Sequence, residues 1–315
     1  MVHPVQLGRR SSVRAATGKY LSIAAFVGPA LALFLFFVVG PLVSALGFSL
    51  FEWSGTSRGT FSGIENFVAL FTELPFREEL PKALSHNLLI FVGIFVVQNT
   101  IGLGLAMNIQ KRRRSRRALQ TIVAIPYLVS ALVVGYLWSL LLSPAFGPIN
   151  AFLKSIGLDW LALPWLGDPT LAMITLTAVA SWAWLGFPVL LYSAALAGLP
   201  QDVEQAAMVD GASPWQRFWY VTLPLLTPAI GTVTILSFIH SMEIFGLAYA
   251  LGGSTGSPAG GTDVVGLLFY RTSFRSGSPN AIGMSSALAT VLFVLILVTS
   301  LVATRLLRQY EKRLA

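Results

Sequence analysis

The sequence predicts an all-α polytopic membrane protein with six transmembrane helices. Apolar residues make up 55% of the 315 residues and charged residues only 11%, whereas a soluble domain carries about 25% charged residues. The apolar residues are concentrated in runs of about 20, the length that a helix needs to cross roughly 30 Å of hydrocarbon. Alternating strand patterns are missing, and lipid does not tolerate open irregular backbone, so these runs are predicted to be helices.

Six apolar runs are long enough to cross the membrane. They cover about residues 20–46, 85–109, 118–142, 171–198, 225–248 and 284–306. They form one predicted membrane domain at 20–306, between a basic N-terminal segment at 1–19 and a C-terminal tail at 307–315. The first run is too long for the apolar part of a signal peptide, and no small-residue cleavage pattern follows it.

The basic residues predict the orientation of the spans. Placing both termini in the cytoplasm puts 15 of the 21 Lys and Arg residues on that side, as the positive-inside rule requires. Six of them lie in the tight turn at 111–117, KRRRSRR. This position favours a topology anchor in contact with anionic lipid over a nucleic-acid patch. The sequence therefore predicts a multi-pass protein of the cell membrane.

Three predicted segments lie outside the membrane. The segment at 47–84 is amphipathic and acidic, and the segment at 143–170 contains Trp160 and Trp165, which are typical of the membrane interface. The third, GGSTGSPAGG at 252–261, is rich in Gly, Ser and Pro and is predicted to be mobile. Segments of this size allow another protein to dock.

Several kinds of chemistry are excluded by the sequence. Cys is absent, which excludes disulfides, thiolate catalysis and cysteine metal sites. No GxxxxGK[ST] loop is present, so the chain is not predicted to bind ATP by a P-loop. The three His residues are too scattered for a metal site, and no nucleophile elbow is found. We therefore expect no enzyme activity, no metal and no cofactor on this chain.

The interval 199–226 is polar, lies on the predicted cytoplasmic side and has a helix pattern of its own. A short helix is predicted from Asp202 to Val209, followed by a turn at Gly211 and Ala212. A second helix is predicted to open at Ser213-Pro214, since Ser is a common cap and Pro is favoured at the first helical position. A Leu-Pro exit follows at 223–224. Something outside the membrane is expected to dock on this interval.

Polar and aromatic side chains inside the spans are candidates for a path through the membrane, because they are costly in lipid. Gln98 and Asn99 are interpreted as interhelical hydrogen-bonding residues. Trp182 and Trp184 suit either packing or a sugar-stacking platform, and Glu243 is either inside the membrane or solvated at the outer interface. A helical rise of 1.5 Å per residue places Tyr127 and Trp184 near the membrane midplane and His240 in the outer half of the membrane. The other candidates are Ser130, Ser237 and Ser241.

The 199–224 interval resembles the EAA loop of the inner-membrane permease subunits of binding-protein-dependent ABC importers. The matching residues are Gln205-Ala206-Ala207, Asp210-Gly211-Ala212 and Val221-Thr222-Leu223-Pro224. The chain departs from the pattern at Gln205, where the family commonly has Glu; Glu204 is its neighbour.

The flanking residues resemble the carbohydrate branch of that family, whose members are similar to the larger maltose permease subunit. The segments that carry this resemblance are 213–218, 125–127, 184–188 and 270–274. Two departures from the branch are Gly246 after Phe245 and Ser254 after Gly252-Gly253.

The resemblance implies a type I ABC importer permease fold and a division of labour. The implied partners are a second, similar permease subunit, two cytoplasmic ATPases that hold ATP and Mg, an extracytoplasmic solute-binding protein and a sugar. The implied coupling residues are Glu204, Gln205, Ala206, Ala207, Asp210, Gly211, Ala212, Leu223 and Pro224. The implied or candidate path residues are Tyr127, Ser130 or Ala131, Trp182, Leu185, Gly186, Val189, Ser237, His240, Ser241, Glu243 and Ile244.

Other functions stay open on the sequence alone. A sugar derivative such as glycerol phosphate would favour Arg or Lys in the spans, and none is found there. A polyamine would favour several carboxylates, of which only Glu243 is available, and an amino acid is a further alternative. A channel or structural subunit without an ATPase is disfavoured, because it has no use for a docking helix. Nucleic acid is not an expected partner.

Overall fold

The computed structural model describes residues 25–112 and 114–314 of the chain. The predicted N-terminal segment at 1–19, the beginning of the first span at 20–24, Arg113 and Ala315 lie outside the described residues. Within the described ranges the chain is mostly helical, with one small hairpin on the predicted outer side.

The helices and strands follow in chain order. The first part contains α1 (Ala25–Phe48), β1 (Phe51–Ser54), β2 (Ser57–Phe61), α2 (Glu65–Thr72), α3 (Phe76–Gln110), α4 (Arg116–Leu128) and α5 (Ala131–Leu141). The middle part contains α6 (Pro148–Ser155), α7 (Pro169–Trp184), α8 (Gly186–Ala197) and α9 (Gln201–Val209). The last part contains α10 (Pro214–Met242), α11 (Gly246–Gly252), α12 (Val265–Phe274) and α13 (Ala281–Leu314).

Four of these helices, α1, α3, α10 and α13, are long and apolar enough to cross a membrane without a break. Two further candidate spans are pairs of helices that are sharply bent. The angle between α4 and α5 is 91°, and the angle between α7 and α8 is 43°. The described residues therefore contain four to six spans, in agreement with the predicted helical membrane fold.

The ends of the spans differ from the predicted ones, most of all for the fifth span. It was predicted at 225–248 after a Leu-Pro exit, but α10 runs without interruption from Pro214 to Met242. The exit prediction was wrong because a π-helical turn at Phe218–Thr222 precedes Pro224. Proline cannot donate a backbone hydrogen bond, and the wider turn accommodates that loss. Similarly α3 and α13 extend past their apolar runs, since hydropathy reports lipid contact rather than helix length.

The third and fourth predicted spans are interrupted rather than straight. Between α4 and α5 the backbone is extended at Val129 and Ser130, with ψ of 141° and 134°. Between α7 and α8 the bend falls at Leu185, three residues before Pro188. Proline at 188 cannot donate to the carbonyl of Trp184, four residues earlier, so the helix is weakest at that point.

The all-α prediction missed the hairpin of β1 and β2, which pair antiparallel across the turn at 55–56. It lies against the beginning of α13: the backbone N–H of Trp53 donates to Asn280 Oδ1 over 2.9 Å. Asn280 in turn donates to Asn66 Oδ1 over 2.8 Å. These long-range contacts fix the outer segment at 47–84 to the end of the last span.

The Gly-rich segment at 252–261 is not the mobile loop that its composition predicts. Its backbone folds back on itself, with Ser257 N–H donating to Gly252 O over 2.6 Å and Thr262 N–H to Gly256 O over 3.1 Å. Gly256 has a φ of +65°, and a Cβ at that position would lie 2.6 Å from the Asp263 backbone. Here glycine serves close packing.

Arg271 on α12 holds this outer loop in place. Its guanidinium donates to both carboxylate oxygens of Asp263, over 2.8 and 2.7 Å, and to Glu79 on α3 over 3.0 Å. The hydrogen bonds that Arg271 donates to Asp263 raise the pKa of Arg271 above its usual value. The Asp263 side chain is only 8% exposed, so its charge depends on this partner.

We therefore predict that Arg271→Ala destabilises the protein by about 3–5 kcal/mol, because it leaves the buried Asp263 carboxylate without a cation. Thermal unfolding of the purified protein in detergent measures the effect. Arg77→Ala is the matched control, since Arg77 is exposed on α3 and should change stability by less than about 0.5 kcal/mol. Equal melting temperatures for Arg271→Ala and Arg77→Ala would contradict the stabilising role assigned to Arg271.

The buried core lies between the long helices in three clusters. One joins α3, α7 and α11, a second joins α2, α3, α12 and α13, and the third joins α3, α8 and α10. By contrast, the most apolar stretch of α1 has none of its residues buried. Among the described residues, the first span is thus attached to the rest of the fold mainly through its outer end, which contacts α13.

Candidate functional site

Three helix breaks meet at one cavity of about 290 Å³. The breaks are those between α4 and α5, between α7 and α8, and between α10 and α11, which is the break at 243–245. The cavity is lined mainly by residues at or next to these breaks, including Tyr127, Val129, Trp184, His240, Glu243 and Phe245. Interrupted helices that surround a cavity in the middle of a membrane are typical of transporter binding sites.

The cavity wall is aromatic. The His240 ring stacks on Trp184 with ring centres 3.9 Å apart and planes 12° apart. Tyr127 approaches the same Trp184 edge-on at 5.2 Å, and Phe187 packs beside it at 5.2 Å. The stack places His240 at the level of Trp184, halfway along the α7–α8 pair. The two side chains therefore lie at the same level, whereas the residue count placed Trp184 near the midplane and His240 in the outer half.

Asn87 fixes the end of α10 at this cavity, and sequence reasoning missed it. Its side-chain amide donates to the carbonyl of Ser241 over 2.7 Å, and its Oδ1 accepts from Val265 N–H over 3.0 Å. Asn87 is fully buried. A polar residue in the apolar face of α3 was a usable signal, since such residues in membrane helices usually bond to a neighbouring helix.

Gln98 and Asn99 make the interhelical contacts that were predicted for them. Gln98 Nε2 donates to the carbonyl of Ser181 over 3.0 Å, and Asn99 Oδ1 accepts from the Tyr192 hydroxyl over 2.7 Å. Both residues lie in a π-helical turn of α3. These bonds tie α3 to α7 and α8 close to their bend.

The structure brings five of the predicted path residues to the cavity: Tyr127, Ala131 (the alternative to Ser130), His240, Glu243 and Ile244. The others lie elsewhere. Ser130 is exposed at the α4–α5 break, and Trp182 is 44% exposed, with Trp138 edge-on at 5.6 Å. The remainder are wholly or partly buried by packing within the chain, namely Leu185, Gly186, Val189, Ser237 and Ser241. Ser237 and Ser241 lie inside α10, whereas Ile244 lies past its end at Met242.

Gly186 is a close-contact position between α8 and α4. A Cβ at 186 would lie 2.7 Å from Ala124 Cα and 2.7 Å from the Val123 carbonyl oxygen. We predict that Gly186→Val forces the two helices apart and costs about 1–3 kcal/mol, as overpacking does. Folded yield and thermal stability measure this. Gly104→Val is the control, because no atom lies within 4 Å of its Cβ position; a similar loss there would contradict the packing argument.

The second candidate site is the polar interval 199–224. The helix predicted from Asp202 to Val209 is present as α9, and the turn that follows has Gly211 at φ +79°. Ser213 caps α10 as predicted, because its side chain accepts from Gln216 N–H while Gln216 Oε1 accepts from Ser213 N–H. The interval is therefore a short helix connected through a left-handed glycine to the beginning of a 29-residue helix.

The short helix α9 presents apolar side chains to solvent. Val203, Met208 and Val209 are 45%, 48% and 88% exposed. An ion pair of 3.8 Å between Glu204 and Arg217 connects α9 to α10, while Gln205 is exposed. Both Leu223 and Pro224 lie inside α10. These exposed apolar side chains make α9 a candidate surface for another protein.

A metal site would need several ligating side chains close together among the described residues. Across 25–112 and 114–314, no group of three or more His, Cys, Asp or Glu side chains is placed to hold a metal ion.

Comparisons with known proteins agree with this geometry. Residues 98–314 match the family described as the binding-protein-dependent transport system inner membrane component. The chain is 32% identical over 279 residues to the probable ABC transporter permease protein YurN of Bacillus subtilis (strain 168), covering 88% of this chain and 92% of that protein. It is also 32% identical over 286 residues to the lactose transport system permease protein LacF of Rhizobium radiobacter, covering 88% and 90%.

A solved structure shares the fold. It is the crystal structure of a bacterial alginate ABC transporter in complex with an alginate pentasaccharide-bound periplasmic protein. One of its chains aligns with a TM-score of 0.78 at 24% identity, covering 94% of this chain and 96% of that one. The family match covers more than half of the chain and the relatives cover nearly all of it. This protein belongs to the family of inner-membrane components of binding-protein-dependent transport systems, the permease subunits of ABC importers.

Proposed function

We propose that this permease subunit forms part of the translocation path for a sugar or oligosaccharide. The observation that carries the proposal is the cavity at the three helix breaks, with Trp184 and His240 stacked in its wall. Aromatic faces pack against the apolar faces of sugar rings, and nearby hydrogen-bonding groups bind the hydroxyls. The names of the lactose and alginate systems point in the same direction.

The chemistry of the cavity disfavours the other substrates. A phosphorylated substrate calls for Arg or Lys, and neither type lines the cavity in the described chain. A polyamine calls for several carboxylates, and Glu243 is the one acidic residue in the lining. Some path residues implied by the family resemblance, such as Val189 and Ser237, are buried. They would reach a substrate only in a different arrangement of the helices.

The interval 199–224 is proposed to be the coupling loop, in which α9 docks into a cleft of a cytoplasmic ATPase. Its exposed apolar side chains and its attachment to α10 support this role. Because α10 ends at the cavity, a movement of α9 would reach His240 as a rigid-body motion. ATP and Mg would be held by that partner. The proposed coupling residues are those predicted from the sequence, with Leu223 and Pro224 acting inside α10.

The remaining partners are a second permease subunit, a second ATPase and an extracytoplasmic solute-binding protein. The unburied apolar surface of α1 is available to lipid or to the second permease. The excess of Lys and Arg at 111–117 and near the ends of the chain supports cytoplasmic termini. That orientation places α9 on the ATPase side and the hairpin with α12 on the side of the binding protein.

Reconstitution tests the proposal. The full chain is placed in liposomes with its partner permease, ATPases and binding protein, and ATP-dependent uptake is measured. The probes are radiolabelled neutral sugars, glycerol phosphate, spermidine and amino acids. We expect uptake of one or more neutral sugars, and uptake of only a phosphate ester, polyamine or amino acid would refute the proposed substrate class. Uptake that needs no ATPase would refute the coupling role.

A further inference from the structure

Glu243 is the single Asp or Glu residue that lines the cavity, and its position is unusual. It follows the last residue of α10 and lies between the cavity at the helix breaks and a second cavity of about 320 Å³ beside α13. Its carboxylate makes no ion pair within 4.0 Å with any residue that the structure describes. The ring of His240, one turn earlier, is engaged with Trp184 instead.

This placement carries an electrostatic cost. The C-terminal end of a helix bears a partial negative charge, so an acidic side chain there is unfavourable. Asn87 partly relieves the helix end by donating to the Ser241 carbonyl, but it leaves the Glu243 carboxylate free. Glu243 is exposed, so its carboxylate is open to a ligand that enters the cavity.

The charge of Glu243 has a direct consequence for the substrate. A carboxylate and the end of α10 both contribute negative potential to the cavity, and no Lys or Arg in its described lining cancels it. Such a site accepts hydrogen bonds from neutral hydroxyl groups. A substrate that carries its own carboxylate or phosphate is repelled at short range.

We propose that Glu243 is a specificity-determining residue that selects neutral sugars against acidic ones at the helix-break cavity. The inference rests on the proposed function and deepens it, because it names the charge class of the sugar. At about 6 Å and an effective dielectric constant near 20, the repulsion between two unit charges corresponds to about a hundredfold in affinity.

The test measures sugar binding by the complete permease–ATPase complex in nanodiscs without the binding protein, so that selection upstream does not interfere. The probes are radiolabelled neutral mono-, di- and trisaccharides, each beside its uronic-acid counterpart. We expect the unmodified complex to bind neutral sugars at least about tenfold more tightly than their uronic acids. Glu243→Gln should reduce this ratio to about threefold or less, chiefly by strengthening uronic-acid binding, and Glu243→Lys should reverse it.

Two controls make the result specific. Glu243→Asp keeps the charge and should keep the preference, which also shows that position 243 tolerates replacement. Asp159→Asn removes one negative charge at an exposed residue away from the cavity and should leave the ratio unchanged. An unchanged ratio in Glu243→Gln, or an unmodified complex that does not discriminate, overturns the inference while the sugar function stands. Failure of the unmodified complex to bind any neutral sugar overturns both.

Discussion

Replacement of Gly211 by valine is expected to uncouple ATP hydrolysis from uptake while the protein stays in the membrane. Gly211 has a φ of +79° between α9 and α10. A residue with a Cβ pays roughly 1–2 kcal/mol to adopt this left-handed conformation, and a β-branched residue is disfavoured most. The turn should then change its backbone angles, and α9 should no longer be held at the orientation that docks.

The size of the effect follows from the strain. If the strain raises the free energy of the docking-competent turn by about 1.4 kcal/mol, the population of that turn falls about tenfold. The apparent affinity for the ATPase then falls by the same factor. The measurements are co-purification of the ATPase with the permease and the amount of sugar transported per ATP hydrolysed.

Gly211→Asn is the matched control for this experiment. Asparagine also adds a side chain, but it tolerates positive φ far better than valine. No atom lies within 4 Å of the Cβ position at 211, so size alone does not separate the two variants. We expect Gly211→Asn to keep most of the ATPase binding and uptake. Equal loss in both variants would mean that a partner contact, rather than the backbone conformation, makes glycine necessary.

Trp184→Ala is expected to have the second-largest effect, on the cavity rather than on the coupling loop. It removes the ring on which His240 stacks and which Tyr127 approaches edge-on. Each aromatic contact is worth about 0.5–1.5 kcal/mol beyond the area that it buries. Losing these contacts, and the one with Phe187, together with the sugar-facing surface should raise the half-saturating sugar concentration by about tenfold or more.

Two related variants separate binding from folding. Trp184→Phe keeps an aromatic ring and should retain much of the uptake, while His240→Phe keeps a stacked ring but removes the ring nitrogens. The membrane level of each variant and its ATPase co-purification should match the unmodified protein. Should Trp184→Ala leave both the half-saturating concentration and the substrate range unchanged, Trp184 does not belong to the path.

Local signals in the sequence were sufficient for much of the fold. The apolar runs identified the helical spans, and Ser213, Pro214 and Gly211 marked the helix ends around the proposed coupling loop. The same signals failed where a structure depends on distant residues. The segment at 252–261 has the composition of a mobile linker, yet it is packed, because Arg271 on the neighbouring helix donates to the Ser254 carbonyl and to Asp263 beside the segment.

The candidate cavity could be predicted only in part. Tyr127, Trp184 and His240 were recognised as costly residues in lipid, but their meeting point was not visible, since each lies in a different helix. Helix periodicity also does not reveal that α10 begins at Pro214 and ends at Met242, or that His240 stacks on Trp184. Asn87 sets that end by a hydrogen bond from α3, more than 150 residues away.

The sequence by itself determined what depends on short-range forces and on the solvent: spans long enough for the membrane, charges that orient them, and a capped helix outside the lipid. The tertiary structure decided which helices break together, which polar groups are paired and which are left free. Glu243 illustrates the difference. Its charge is evident in the sequence, but its lack of a partner at the end of α10 depends on where every neighbouring helix packs.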